Sequence, residues 1–158
     1  MHSAQASSDV SRISDDTLRQ FIGYHLKRAS NAVLGDLARV LKPFELRMIT
    51  YTALVLIVDN PGLRQSQLAD AMDVERPNLV VIIDELERRD LISRDKVPTD
   101  RRAYALRPTP AGRQLYERAV AAVSAHERAL LKGITPEAQA LIVDVANRLQ
   151  QNATGDET

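Results

Sequence analysis

The feature that most constrains this chain is a change of hydrophobic period between residues 63 and 112. Leu79, Ile82, Ile83 and Leu86 recur at i, i+3, i+4 and i+7, which places them on one buried face of a helix. Pro77 follows Arg76 where a first helical turn begins, a position at which a missing N–H costs little. A shorter helix is predicted over 66–72, with Ser66 as N-cap ahead of Leu68 and Ala71, and Asp73-Val74-Glu75 separates the two. The longer helix ends at Asp90, a residue that takes the left-handed terminal conformation less readily than glycine. Beyond it the period falls to two. Tyr104 and Leu106 alternate with Ala103 and Ala105, so 91–96 and 102–107 are predicted strands around Val97-Pro98-Thr99-Asp100-Arg101. Helix, turn, helix and hairpin make a winged helix, in which the second helix enters the major groove of DNA and the hairpin reaches the neighbouring backbone or minor groove.

The flanks are helical. Ser14 is placed to cap a long helix over 15–41, whose apolar stripe is Leu18, Phe21, Ile22, Leu26, Ala29, Val33 and Leu37. Lys42-Pro43 closes it. A second helix is predicted over 44–59, apolar on nearly every side and therefore central, and Asn60-Pro61-Gly62 ends it. Leu63-Arg64 can form a short third strand beside the wing. Thr109-Pro110 starts a helix to about residue 132, with Leu115, Ala119, Val120, Val123 and Leu130 inward, and Gly133 stops it. Thr135-Pro136 opens the last helix, which carries Leu141, Ile142, Val145 and Leu149. The terminal helices are amphipathic with no evident cover in one subunit, and pairing with a second copy is the economical way to bury them.

The fold class is thus mainly α with a small β-hairpin wing (α+β): a winged helix-turn-helix with N- and C-terminal dimerisation helices. The expected organisation is one domain over 14–151, with the winged helix at about 46–108, dimerisation helices at about 15–41 and 110–151, and mobile tails at 1–13 and 152–158. Lysine plus arginine and aspartate plus glutamate both number 21, so the whole chain is not a basic polyanion binder. Residues 76–113 hold nine basic residues against six acidic, a modest positive lobe that a dimer doubles. The absence of cysteine excludes disulfides, thiolate metal sites and thiol-based oxidant sensing. The polar start MHSAQASSDVSR lacks a signal-peptide core, and the apolar run 53–58 is too short to span a bilayer, which points to the cytoplasm. His2, His25 and His126 are scattered, and no nucleophile motif, phosphate loop or HExxH occurs. Neither an enzyme nor a metal or cofactor site is therefore expected.

The segments SQLA (66–69), ERPNLVVIIDELERRDLI (75–92), PTDRRAYAL (98–106) and TPAG (109–112), in this order, resemble the multiple-antibiotic-resistance regulator (MarR) family. That family's Asp-x-Arg wing signature is matched by Asp100 and Arg102. The resemblance implies that Arg102 enters the minor groove and that Asp100 steadies the wing by pairing with an arginine. A narrow minor groove attracts arginine through its concentrated negative potential, and Arg101 stands beside it. Val80 and Val81 replace a Thr-Arg pair common in the family. They either meet thymine methyl groups or, for Val80, pack beneath the neighbouring helix. Arg76 and Asn78 are candidates for base edges or phosphate, and Ser66 and Gln67 for phosphate. Asp84 and Glu85 are expected to pair with Arg88 and Arg89 at i+4 on a solvated face.

The family further implies a homodimer and a small aromatic or carboxylate effector held between dimerisation helices and winged lobe. Tyr24, His25, Arg28, Arg47 and Tyr51, with Met48 as apolar wall, are the residues suited to line such a cleft. Their arginines match the carboxylate or phosphate of a phenolic acid or its acyl-CoA thioester, although both are also ordinary helix-surface charges. The function expected is a DNA-binding transcriptional regulator, a homodimeric repressor released from a palindromic operator by that ligand. The alternative is a winged-helix protein-interaction module that does not bind DNA, distinguished by a weak response to salt.

Overall fold

A computed structural model describes residues 13–97 and 100–155, with the side chains of residues 100–103 and 154 outside the description. Its elements are α1 (Ile22–Leu41), α2 (Met48–Asp59), β1 (Leu63–Arg64), α3 (Gln65–Met72), α4 (Arg76–Arg88), β2 (Ile92–Val97), β3 (Asp100–Pro108), α5 (Pro110–Leu130) and α6 (Pro136–Thr154). The chain divides into two compact units, residues 1–36 and 37–158, and the boundary falls within α1.

In the first unit, the helix expected from residue 15 starts at Ile22 instead. A single 3-10 turn, Leu18–Gln20, is followed by Phe21 in an extended conformation (φ −107°, ψ 127°). Asp15 explains the break. Its carboxylate accepts from Arg19 Nε at 2.7 Å and from the Tyr24 hydroxyl at 2.5 Å. In one continuous helix, residues nine apart are separated by roughly 13 Å along the axis. The bend at Phe21 lets Asp15 meet Tyr24. Ser14 caps no helix; its hydroxyl donates to Asp16 Oδ2 at 2.8 Å.

The second unit is built around α2, whose Thr50, Ala53, Leu54, Ile57 and Val58 are buried. Against them pack Leu41, Leu46, Leu68, Ala69, the α4 stripe Leu79, Ile82, Ile83 and Leu86, then Leu91, Ile92, Leu106 and Ala119. Thr50 is the one buried polar side chain of this core among the described residues, and its hydroxyl is satisfied by the Arg47 N–H and carbonyl, both at 3.0 Å. The helix expected from residue 44 begins at Met48, because the chain first closes α1. Glu45 adopts φ 53°, its N–H reaches the Lys42 carbonyl at 2.9 Å, and the Leu46 N–H reaches the Leu41 carbonyl at 3.3 Å. This doubly bonded left-handed terminus recurs at Asp73 after α3 and Asp90 after α4, with φ 50° and 56°. None of the three is glycine. Each bears a side chain through a conformation that normally costs energy.

The sheet order is β1-β3-β2, antiparallel throughout. Leu63 pairs with Leu106, and β2 runs against β3 from Ile92↔Pro108 to Lys96↔Tyr104, with a register shift at Lys96/Val97. Strand β3 starts at Asp100, two residues earlier than the alternation suggested. Where the wing returns to the core, the Thr109 hydroxyl donates to the Asp90 carbonyl at 2.6 Å and accepts from the Gly112 N–H at 2.9 Å. Thr135 caps α6 likewise, accepting from the Ala138 N–H at 3.3 Å. Helix α6 continues through Thr154, past residue 152 where a tail was expected, and Gly155 at φ 71° follows it.

Leu18, Phe21, Ile22 and Leu26 of the first unit are exposed, as are Leu141, Ile142, Val145 and Leu149 of α6. On α5, Leu130 is exposed rather than inward, whereas Ala119 is buried and Leu115 and Val123 lie against the core. Among the described residues, no helix is long and apolar enough to cross a membrane.

Two glycine substitutions test this packing. A Cβ at Gly112 would lie 1.9 Å from the Leu91 carbonyl oxygen, whereas one at Gly35 meets nothing within 4 Å. Gly112→Ala should therefore cost about 2 kcal/mol or more in denaturant unfolding, by forcing backbone apart. Gly35→Ala, inside α1, should be neutral or stabilise by up to about 1 kcal/mol.

Candidate nucleic-acid interface

The α4 stripe faces the core, so the opposite face is turned outward. Arg76, Asn78, Val80, Val81 and Asp84 are exposed there. Val80 is 43% and Val81 63% exposed, which removes the alternative that Val80 packs beneath the neighbouring helix. Two adjacent valines open to solvent form a small apolar spot on an otherwise polar face. Helix α4 has Glu75 as its N-cap residue, with no side-chain cap, and Pro77 in its first turn as expected.

Helix α3 begins one residue early, at Gln65. Its N-cap is Arg64 rather than Ser66, and the Gln67 side chain folds back to accept from the Arg64 N–H at 2.9 Å. Short strand β1 leads straight into the helix, so extended Arg64 takes the cap position and Ser66 falls in the first turn. Ser66 and Gln67 are both exposed. At the wing, Asp100, Arg101 and Arg102 belong to the backbone of β3, and the expected roles of their side chains lie outside the described residues.

The acidic residues of α4 do not use the helical i+4 partners expected of them. Glu85 pairs with Arg47, the N-cap residue of α2. Asp84 accepts from Arg94 Nη2 at 2.5 Å, and Glu87 accepts from Arg94 Nε at 2.9 Å. The bond to Glu87, then that to Asp84, raises the Arg94 pKa above its ordinary value. Arg89 turns instead to the α1–α2 connection, donating to the Glu45 carbonyl at 2.6 Å and the Phe44 carbonyl at 3.0 Å. Helical spacing could not reveal these contacts, because each joins residues of different elements. Arg94 was missed altogether.

The six candidate effector residues fall three to each unit. In the first, Arg28 donates to the Tyr24 hydroxyl at 3.2 Å and lies 3.7 Å from Asp15, while His25 Nε2 meets the Arg19 carbonyl at 2.8 Å. Asp15 thus already supplies an anion to this group. Hydrogen bonds from Arg19 and Tyr24 hold its carboxyl at a pKa of about 2. In the second unit, Arg47 is engaged by Glu85, and Met48 and Tyr51 are half-buried on the next turn of α2. Burial raises the Tyr51 pKa, with Asp59 adding to the effect.

Comparison with known proteins agrees with this geometry. The MarR family profile matches residues 47–104. A putative transcriptional regulatory protein for the hcr operon of Thauera aromatica is 34% identical over 145 residues, covering 91% of this chain and 87% of that protein. Among solved structures, the transcriptional repressor CouR bound to a 23-mer DNA duplex superposes with TM-score 0.84 at 30% identity, covering 89% of this chain and 99% of that one. CouR from Rhodococcus jostii RHA1 bound to p-coumaroyl-CoA superposes with TM-score 0.74, also at 30% identity, covering 89% and 97%. An exposed helix face on a three-stranded winged lobe, joined to sequence kinship over nearly the whole length, makes this chain a member of the MarR family, a transcription regulator with a DNA-binding winged helix.

Proposed function

We propose that the protein is a homodimeric repressor that binds a pseudo-palindromic operator and leaves it when a phenolic acid or its acyl-CoA thioester binds. The observation that carries the DNA half is the outward face of α4 on a lobe that superposes on DNA-bound CouR. In this reading, Arg76, Asn78, Val80 and Val81 meet base edges or phosphate, and the valines suit thymine methyl groups. Ser66 and Gln67 serve phosphate, and Arg101 and Arg102 extend from the wing into the minor groove. Two such helices related by a two-fold axis require half-sites one helical turn apart. The exposed apolar residues of α1 and α6 support the dimer, since faces of this kind are buried in a working protein. A cytoplasmic location goes with this reading.

The effector class expected from the sequence is supported by the CouR complex with p-coumaroyl-CoA. Candidate contacts are Tyr24, His25 and Arg28 in the first unit and Arg47, Met48 and Tyr51 in the second. An anionic group reaching Arg47 competes with Glu85, and one reaching Arg28 competes with Asp15.

Three measurements test these points. Sedimentation should give a dimer at micromolar concentration, and a well-behaved monomer overturns the pairing. Arg102→Ala should weaken binding to a duplex selected by the wild-type protein by about 1–3 kcal/mol at fixed salt, without changing dimer stability. Unchanged affinity would remove the wing from the interface. In thermal unfolding, p-coumaric acid or p-coumaroyl-CoA should raise the transition temperature, because a ligand of the native state stabilises it by mass action. No shift with either rules out this effector class.

A further inference from the structure

We propose that the second half of α4 is an acidic segment kept neutral by arginines from two other elements, making Arg47 and Arg94 positioning residues for DNA binding. The proposal rests on the reading of α4 as the DNA-facing helix. Asp84, Glu85 and Glu87 lie within four consecutive residues. Asp84 stands one helical turn beyond Val80 and Val81 on the exposed face, and Glu85 one turn beyond Val81. Double-stranded DNA carries a negative charge about every 1.7 Å of its axis. Three free carboxylates so close to a reading surface would oppose its approach.

The structure leaves none of the three free. One guanidinium, on Arg94 of β2, serves Asp84 and Glu87 together, and its side chain is only 25% exposed. Arg47 reaches Glu85 from the N-cap of α2, pairing a 63% exposed cation with a carboxylate that is 21% exposed. Arg88 and Arg89, the residues at i+4, are not used for this purpose. Arg89 is instead spent on the Phe44 and Glu45 carbonyls. Two elements packed beside α4 thus supply a cation to each of the three carboxylates that follow the exposed valines.

The test is a double-mutant cycle on a duplex selected by the wild-type protein from a random pool. Arg47→Gln should weaken binding about three- to tenfold, by exposing one charge near the phosphates. Arg94→Gln should weaken it further, since two carboxylates lose their partner. Glu85→Gln should bind as well as wild type or better. Arg47→Gln with Glu85→Gln should return to within about twofold of wild type, because the charge that needed neutralising is gone. If the double variant stays as weak as Arg47→Gln, Arg47 touches DNA directly or holds the fold, and the inference falls while the DNA-facing reading stands. If Glu85→Gln itself weakens binding, Glu85 is a contact and the inference also falls. If no sequence is enriched by the wild-type protein, the reading of α4 fails and takes this inference with it.

Discussion

Everything at the interface depends on how α4 is seated. Leu79, Ile82, Ile83 and Leu86 are nearly or wholly buried against the core around α2. Burial of an aliphatic side chain of this size stabilises by about 1.5–3 kcal/mol, whereas an exposed ion pair contributes about 0–1 kcal/mol. The apolar stripe therefore decides where the helix lies and which face it turns outward. The ion pairs decide what charge that face presents.

The same seating governs the wing and the helix beyond it. Because α4 ends in a left-handed turn at Asp90, the chain reverses at Leu91 into β2. Thr109 and Gly112 then close on the Asp90 and Leu91 carbonyls at the start of α5. Gly112 is needed there because a side chain would occupy the space of a backbone oxygen. The outward face of α4, the root of the wing and the start of α5 thus share one corner. Arg89 in turn fastens the end of α4 to the connection that closes α1.

The limits of the sequence reading follow from the range over which each signal acts. The starts and stops that Pro43, Asn60-Pro61-Gly62, Thr109-Pro110 and Gly133 impose are local, and the structure follows them. The places where helices were drawn too long, 15–21 and 44–47, are those where one residue leaves the helical region for a reason outside its own neighbourhood. Phe21 is extended because Asp15 binds Tyr24, and Glu45 is left-handed because Leu41 and Lys42 need partners for their carbonyls. Neither residue type signals such a break, as a glycine would.

From the sequence alone came the helix–turn–helix, the three-stranded wing, the buried stripe of α4 and the placing of Arg76 and Asn78 off that stripe. Period and turn chemistry act over a few residues and are written directly into the order of side chains. Only the tertiary structure decided that both valines stand open to solvent, that Arg94 unites Asp84 with Glu87, and that Arg47 answers Glu85 rather than standing free. Those pairings join α4 to β2 and α2. Charge attraction between distant parts of a chain has no period, so it takes its partners only after packing has brought the elements together.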